Sequence, residues 1–491
     1  MKKTFHLLFV ILFFGACLIP GLGLLLNGPS PAAANETAVR APSFVNPDGS
    51  LNLNLLSDAA DWFSHSYGFR RELITADSAW KAGLFRSSTQ PLVALGKEGW
   101  LYYAETLDDY TGADSLSPRQ TWCIARSLKL AQDYVQSQGA AFVFTVAPNK
   151  ASIYPEYLPD GLSPAPSEYS APLAEVLQEQ DVQYASLFEP LRTMSGRSEQ
   201  SRSLNGEPLY FALDSHWTNR GAALAHDVLL EALGLPSEDA FGKAGGYQPS
   251  HLGDLYEMLY PASLRLDLEF AFDPPLDFQY ARPIRDVDDL TIETASASEN
   301  GPLLMFRDSF GNALHSLMAE SFSTALFSRA MPYNLERMES IGTEYVVVEI
   351  VERNLPLLAE GAFLFPAPEV DLFQPPWGNT RLFQGERWPA ESPLAIERAG
   401  AYNRITASAD IPCDLDSPVY LIHMPAAGGS VTAWEALPLY QEDGARAACT
   451  ACLPTDRLPE GTLYMAFQQE GKWQMTYWEE PFPGPAPSGE G

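Results

Sequence analysis

The sequence predicts an α/β protein: an open, mainly parallel sheet, a smaller all-β domain after it, and a membrane-spanning helix before it. Three observations carry that reading. The apolar run at 140–147 reads as a strand buried on both faces, 302–306 as a short buried strand and 344–351 as the most β-prone run, with helical patterns between them. After about Pro366 the texture changes to short alternating strands separated by turn residues, with no convincing helix. Residues 5–26 contain no acid or base except His6, and Lys2 and Lys3 precede them.

At about 1.5 Å per residue that N-terminal run covers roughly the 30 Å bilayer core, and the lysines place the N-terminus inside. An uncleaved anchor is the preferred reading. Cleavage after Ala32-Ala33-Ala34, or at a lipoprotein-type Gly15-Ala16-Cys17, is the alternative. Each places the remainder outside the cytoplasm. Residues 27–55, rich in Pro, Ala, Asn and Ser, read as a tether.

Residues 59–85 read as helix with a glycine interruption at Gly68, and residues 92–103 as a hairpin around Gly96-Lys97-Glu98-Gly99. Ser117-Pro118-Arg119-Gln120 is a capping box with proline at the first helical position. Ile124, Leu128, Ala131 and Val135 form the buried stripe behind it, and Gly139 ends the helix. The strand at 140–147 exits into Pro148-Asn149-Lys150, the kind of strand-end loop where α/β proteins keep ligands. Leu209 to Leu213 are expected to deliver Asp214 and His216 to a strand end. A helix follows, capped by Thr218 or Asn219, with Leu224, Val228, Leu229 and Leu233 as its apolar positions. Residues 234–300 are punctuated by Pro and Gly and read as an irregular insertion. A helix is predicted from about Gly311 to Ser321.

The net charge of −31 repels phosphate backbones and excludes a nucleic-acid partner. It also argues against a polyanion held over a broad surface. Cys413, Cys449 and Cys452 cluster late in the chain, so one disulfide among them is expected, while Cys449-x-x-Cys452 lacks the second pair a zinc site needs. The seven histidines show no metal-ligand spacing, and no cofactor is expected.

The chemistry centres on two short stretches. A carboxylate two residues from an imidazole, Asp214 and His216, can fix the tautomer of a base. Ser309, in Arg307-Asp308-Ser309-Phe310-Gly311-Asn312 between a short strand and a helix, offers the hydroxyl, with helix-start amides nearby for an oxyanion. Asn149 is a further oxyanion candidate. Lys150, Arg307 and Asn312 are candidate substrate contacts, with a solvated loop lysine and a structural ion pair to Asp308 or Glu349 as the plainer readings of the first two. Glu352-Arg353 reads as an ion pair, and Trp100, Trp122 and Trp217 as core or pocket walls.

Asp214-Ser215-His216-Trp217 resembles the signature of the AlgX/AlgJ-like proteins, the DHHW relatives of SGNH hydrolases. Gly96-Lys97-Glu98-Gly99-Trp100-Leu101-Tyr102, Pro148-Asn149-Lys150 and the Asp308-Ser309 turn also match, so the likeness spans roughly residues 55–355. The resemblance implies a three-layer α/β/α domain with Ser309 as nucleophile, His216 as base and Asp214 as its partner, acting as an O-acetyltransferase on an extracytoplasmic polysaccharide. It also implies a membrane acyl-donating partner. A carbohydrate acetylesterase with the same triad and a non-catalytic polysaccharide-binding or assembly protein are the alternatives.

The expected organisation is an anchor at 1–26, a tether at 27–55 and a catalytic domain at 56–365. A β-sandwich-like domain at 376–480, with Trp377, Trp388, Trp434, Trp473 and Trp478 as core or sugar platforms, precedes a disordered tail at 481–491. The protein is thus expected to be a single-pass protein of the cell membrane.

Overall fold

The computed structural model describes residues 2–31, 39–197, 208–236, 238–371, 387–390, 392–399, 402–441, 446–454 and 458–478. Trp377 and the tail at 481–491 lie outside these. The longer helices are α1 (Lys2–Asn27), α2 (Leu55–Ser66), α3 (Arg70–Phe85), α4 (Pro118–Ser137), α5 (Ala171–Glu179), α6 (Asn219–Ala232) and α7 (Gly311–Ser321). The strands are β1 (Ala141–Ala147), β2 (Tyr184–Ser186), β3 (Gly245–Leu252), β4 (Leu266–Phe272), β5 (Gln279–Tyr280), β6 (Thr291–Ala295), β7 (Leu303–Phe306), β8 (Thr324–Ser328) and β9 (Tyr345–Val351).

Among the described residues the central sheet runs β2-β1-β9-β7-β8-β6-β5. Its first five strands are parallel, and β6 and β5 close one edge antiparallel. Because successive side chains point to opposite faces, each all-apolar strand feeds two cores. Phe144, Val146, Phe306 and Val348 pack under α4 and α5, against Ile124, Leu128, Leu173 and Leu177. Val143, Ala147, Met305 and Val347 pack on the other side, against Ala222 and Leu229 of α6 and Leu314 and Met318 of α7. The result is helix, sheet and helix in three layers.

The start of α4 follows from its sequence: Ser117 accepts from the Gln120 amide and the Gln120 side chain reaches back, so both exposed donors are satisfied. The short hairpin pairs Val93–Leu95 with Leu101–Tyr103 as expected. Helices α2 and α3 begin and end around Gly68, which lies in the break between them.

Several expectations are corrected. Leu209–Leu213 does not extend the sheet. It makes a single bridge, Tyr210 to Trp217; the Phe211 carbonyl accepts from Lys150 Nζ, the Ala212 carbonyl from Leu101 N of the short hairpin, and Leu213 N donates to Asp267. Five apolar residues in a row are buried here as a loop. Thr218 is the cap of α6, accepting from Gly221 N, and the most deeply buried side of that helix is Ala222, Ala225, Leu229 and Leu230, with Leu224, Val228 and Leu233 at its margin. Residues 234–300 are not irregular throughout: they form the β3–β4 hairpin and contribute β5 and β6 to the sheet. Strand β8 carried too short a pattern to be read from sequence.

The C-terminal region is a curled, mostly antiparallel sheet running from Glu369–Val370 to Lys472–Tyr477. Ile405, Leu421, Trp434, Cys449 and Met465, from strands spread along the ladder, meet Trp478, just past the last strand, in one core. Trp434 and Trp478 are therefore core, not sugar platforms, whereas Trp388 and Trp473 are half-buried. All five cysteines are free. Cys449 and Cys452 are three apart on one strand, so their side chains leave opposite faces, which rules out both a bond between them and a shared metal. The sheet docks on α4: Arg126 pairs with Glu435 at 2.6 Å, and Arg119 donates to the Ser417 carbonyl at 2.8 Å.

Candidate active site

Strands β1, β7 and β9 are parallel neighbours, so their C-terminal ends open on one edge of the sheet. Ser309 follows β7, Asn149 follows β1 and Glu352 follows β9. The turn carrying Ser309 is stapled by Asp308. One carboxylate oxygen accepts from Phe310 N at 2.9 Å, and the other accepts from Val351 N at 2.8 Å and Asn354 Nδ2 at 3.0 Å. Glu349, fully buried beneath, accepts from Asp308 N, and burial pushes its carboxyl well above the usual range. Two helix-start amides are already committed, Phe310 N to Asp308 and Asn312 N to the Ser309 carbonyl.

The loop carrying His216 reaches the same edge from above α6. Ser309 Oγ lies 2.8 Å from His216 Nε2, and His216 Nδ1 lies 2.7 Å from Asp214 Oδ1. With Asp214 holding the proton on Nδ1, Nε2 is left as the acceptor for the serine hydroxyl. The ring packs on Phe310, centroids 4.9 Å apart, so the Ser309 turn and the His216 ring are fitted to one another.

Two residues that sequence reasoning did not single out complete the carboxylate's surroundings. His251, from β3, lies with Nε2 2.8 Å from Asp214 Oδ2, and its ring stacks on Phe211 at 3.8 Å. Asp254 donates its backbone N–H to the same oxygen at 2.9 Å and accepts from Ser215 N and Oγ. Burial alone would raise the Asp214 pKa, but the hydrogen bonds from His216 and His251 hold it well below the usual carboxylate range. Burial lowers His216, yet Asp214 outweighs it and the net shift is upward; the same balance raises His251. Burial, with Asp214 beside it, raises Asp254. Ligand atoms of Asp214, His216 and Asp254 lie within 4.8 Å of one another. Both oxygens of Asp214 are, however, already taken by N–H donors, which suits a proton-handling dyad rather than a metal. No local pattern around His251 marks it, since the contact depends on the hairpin folding back.

The secondary candidates fall out differently. Lys150 is buried, not solvated: Nζ donates to the carbonyls of Asp214 at 2.6 Å, Phe211 at 3.0 Å and Ala212 at 3.3 Å, and burial lowers its pKa to about 8. It shapes the His216 loop and does not face a ligand. Asn149 donates its side-chain amide to Asp109 at 2.9 Å and its backbone N–H to Glu352 at 2.9 Å. Burial and the nearby Glu352 raise Asp109 to about 7. Arg307 is buried and makes none of the expected ion pairs. It donates to Asn312 Oδ1 at 2.5 Å and to the Val287 carbonyl at 2.7 Å, and burial lowers it to about 10. Asn312 in turn donates to Asp288 at 2.9 Å. Arg307 and Asn312 therefore brace the start of α7.

Glu352 and Arg353 do not pair. Glu352 accepts from Asn149 and Ser152, while the Arg353 guanidinium lies over the Phe310 and Tyr103 rings at 5.4 and 5.3 Å. Trp217 is core and donates to the Phe310 carbonyl at 2.9 Å; Trp100 stacks on Tyr157, and Trp122 lies under the Arg119 guanidinium.

Residues 93–280 match the model of the SGNH hydrolase-like domain of the acetyltransferase AlgX. That stretch resembles an AlgX/AlgJ-like SGNH domain. The matched stretch contains Asp214 and His216 and ends before Ser309. A probable alginate O-acetylase AlgJ of Pseudomonas syringae pv. tomato is 25% identical over 240 residues, 48% of this chain and 54% of that one. The probable alginate O-acetylase AlgJ of Pseudomonas putida is 27% identical over 219 residues, 43% of this chain and 52% of that one. The chain thus spans about half the length of the curated relatives it matches. A DHHW family protein of Eubacterium siraeum overlays with a TM-score of 0.40 at 16% identity, over 55% of this chain and 97% of that one.

Proposed function

We propose that this protein is an O-acetyltransferase that modifies an extracytoplasmic polysaccharide through a Ser309 acetyl-enzyme. The observation that carries the reading is the continuous path Ser309 Oγ, His216 Nε2, His216 Nδ1, Asp214 Oδ1, with steps of 2.8 Å and 2.7 Å across the ring. Relatives named as alginate O-acetylases, matched over part of their length, supply the acyl group and the acceptor class.

As Ser309 Oγ attacks the acyl carbonyl, its proton passes to His216 Nε2, and Asp214 stabilises the imidazolium that forms. The tetrahedral intermediate collapses, the donor leaves with the proton from Nε2, and Ser309 carries the acetyl ester. A sugar hydroxyl then gives its proton to Nε2 and attacks the ester, which restores Ser309. With water in place of the sugar the same cycle is hydrolysis.

Residues 9–27 of α1 are long and apolar enough to cross a membrane, which fits an anchor or a signal sequence. We take α1 as a retained single-pass anchor holding the catalytic domain outside the cytoplasm, where a membrane protein delivers the acyl group. The net charge of −31 favours an acceptor of neutral or amino sugars over a polyuronate. The test is turnover of 4-nitrophenyl acetate by wild type and Ser309→Ala, followed by product analysis with and without acceptor glycan. An active wild type, an inactive variant and acetylated glycan support the transferase. Acetate alone, with glycan present, points to an esterase, and equal rates in both proteins remove Ser309 from the reaction.

A further inference from the structure

The first four residues of strand β4 are inside out, before Phe270 turns back into the core. Asp267 and Glu269 point inward, accepting from Leu213 N and Asn219 N, while Leu266 and Leu268 face outward, Leu268 at 49% exposure. Leu252 on β3, the register partner of Leu266, is also exposed, and Leu264 in the connecting loop is 76% exposed. A half-solvated strand ordinarily turns its apolar residues to the core, so outward leucines over inward acids mark a surface that something else covers.

That surface continues onto α3. Ala262 N donates to Thr75 Oγ1 at 2.9 Å, and Arg71 reaches the Pro261 carbonyl, so the loop lies against the helix. On α3, Leu73, Trp80 and Leu84 are seven and four residues apart and share one stripe, exposed at 37%, 57% and 65%. On α2, Leu56 and Phe63, again seven apart, are exposed too.

The turn between α2 and α3 is tied to the apolar span. Gly68 N donates to the Pro20 carbonyl at 3.1 Å, and Ser30 N donates to the Ser66 carbonyl at 3.0 Å. Gly68 meets Gly23 so closely that a Cβ on Gly68 would lie 2.0 Å from the Gly23 carbonyl carbon. Gly23 is four residues, about 6 Å, inside the outer end of α1. Residues 67–69 are therefore held at the outer margin of the apolar span, just inside the headgroups, and the exposed side chains of α3 and the β3–β4 hairpin extend from that point.

We propose that the outward face of α3 and the β3–β4 hairpin rests on the outer surface of the lipid bilayer that α1 crosses. The proposal depends on the reading of α1 as a retained anchor. Lipid is favoured as the occupant because the face is continuous with the span and carries the leucines and aromatics of an interfacial surface. It fixes the orientation of the domain: the hairpin that lies on the membrane also carries His251, so Asp214 and the Ser309 edge are held close to a donor arriving from the bilayer.

The test uses the full-length protein, in a Cys17→Ser background, in vesicles of phosphatidylcholine and phosphatidylglycerol; the other four cysteines are buried. An environment-sensitive fluorophore is placed at Leu268→Cys or Leu84→Cys, with Leu22→Cys within the span and the exposed Glu397→Cys as controls. Lipids carrying a spin label near the headgroup should remove most of the emission at positions 268, 84 and 22 and leave position 397 bright. Emission kept at 268 and 84 while 22 is quenched overturns the proposal and leaves the anchor standing. If positions 268 and 84 are shielded only in native membranes, the face belongs to a membrane protein, which also overturns it. A protein that washes off the vesicles overturns the anchor reading and the proposal together.

Discussion

His251 donates to the oxygen of Asp214 that His216 leaves free, Nε2 to Oδ2 at 2.8 Å. One carboxylate is thus gripped by two imidazoles, one belonging to the loop of the base and the other to a hairpin more than thirty residues later. This second contact fixes the carboxylate plane, and through it the direction in which His216 points.

Replacing His251 with Gln should therefore lower turnover without abolishing it, by about tenfold, as expected for a group that orients another through a hydrogen bond. In the proposed cycle His216 must be neutral to accept the Ser309 proton, so the acid limb follows the His216 pKa. His251 draws on the charge of Asp214, and without it more of that charge acts on His216, raising its pKa further. The acid limb should move to higher pH, read from the pH profile of kcat/KM. An unshifted limb would reduce His251 to a packing role.

Ser309→Ala should cut turnover of an activated acetate ester by about 10³-fold or more. Its melting temperature should stay near that of wild type, because Ser309 is only half-buried and the turn is stapled by Asp308 instead. Asp308→Ala should show the reverse balance, with a measurable loss of stability accompanying the loss of activity.

Lys150→Met removes the donor for three carbonyls of the loop that bears Asp214 and His216. A loss of about 3 kcal/mol is expected from unpaired buried groups. Denaturant unfolding would measure it, and kcat should fall with it because the loop relaxes. Lys150→Arg should not restore either, since the guanidinium is wider than the gap an ammonium fills.

Asp109 titrates near 7 in the folded protein against about 3.8 unfolded, because of burial and the neighbouring Glu352. A group raised by folding contributes stability that is complete below the unfolded value and lost as pH rises through the folded one. Asp109→Asn keeps the acceptor for Asn149 and cannot ionise. Its melting temperature should match wild type near pH 4 and exceed it increasingly as pH rises to about 7. A difference independent of pH would show that Asp109 ionises with the same pKa folded and unfolded, so that burial does not raise it.

Elements defined by their own residues could be read directly. The capping box at Ser117, the doubly buried strands β1 and β9 and the break at Gly68 each depend on side chains within one turn or on alternation along one strand. Ser309, Asp214 and His216 stood out because short polar motifs interrupt apolar runs there. The Leu209–Leu213 stretch resembles a strand for the same reason: apolar composition reports burial, and burial is equally available to a loop whose carbonyls are held by a lysine.

The sequence by itself determined the α/β alternation, the all-β character of the C-terminal region, the apolar N-terminal helix, and which residue types could form a Ser-His-Asp chain. Those depend on local propensity and periodicity. Only the tertiary structure decided that Ser309 and His216 lie 2.8 Å apart, that Lys150 is buried under the base-bearing loop, that Asn149 is held by Asp109, and that His251 closes on Asp214. Each of those contacts joins segments between 37 and 93 residues apart, and side-chain chemistry that distant is set by how the sheet edge and the hairpin meet, which no local pattern encodes.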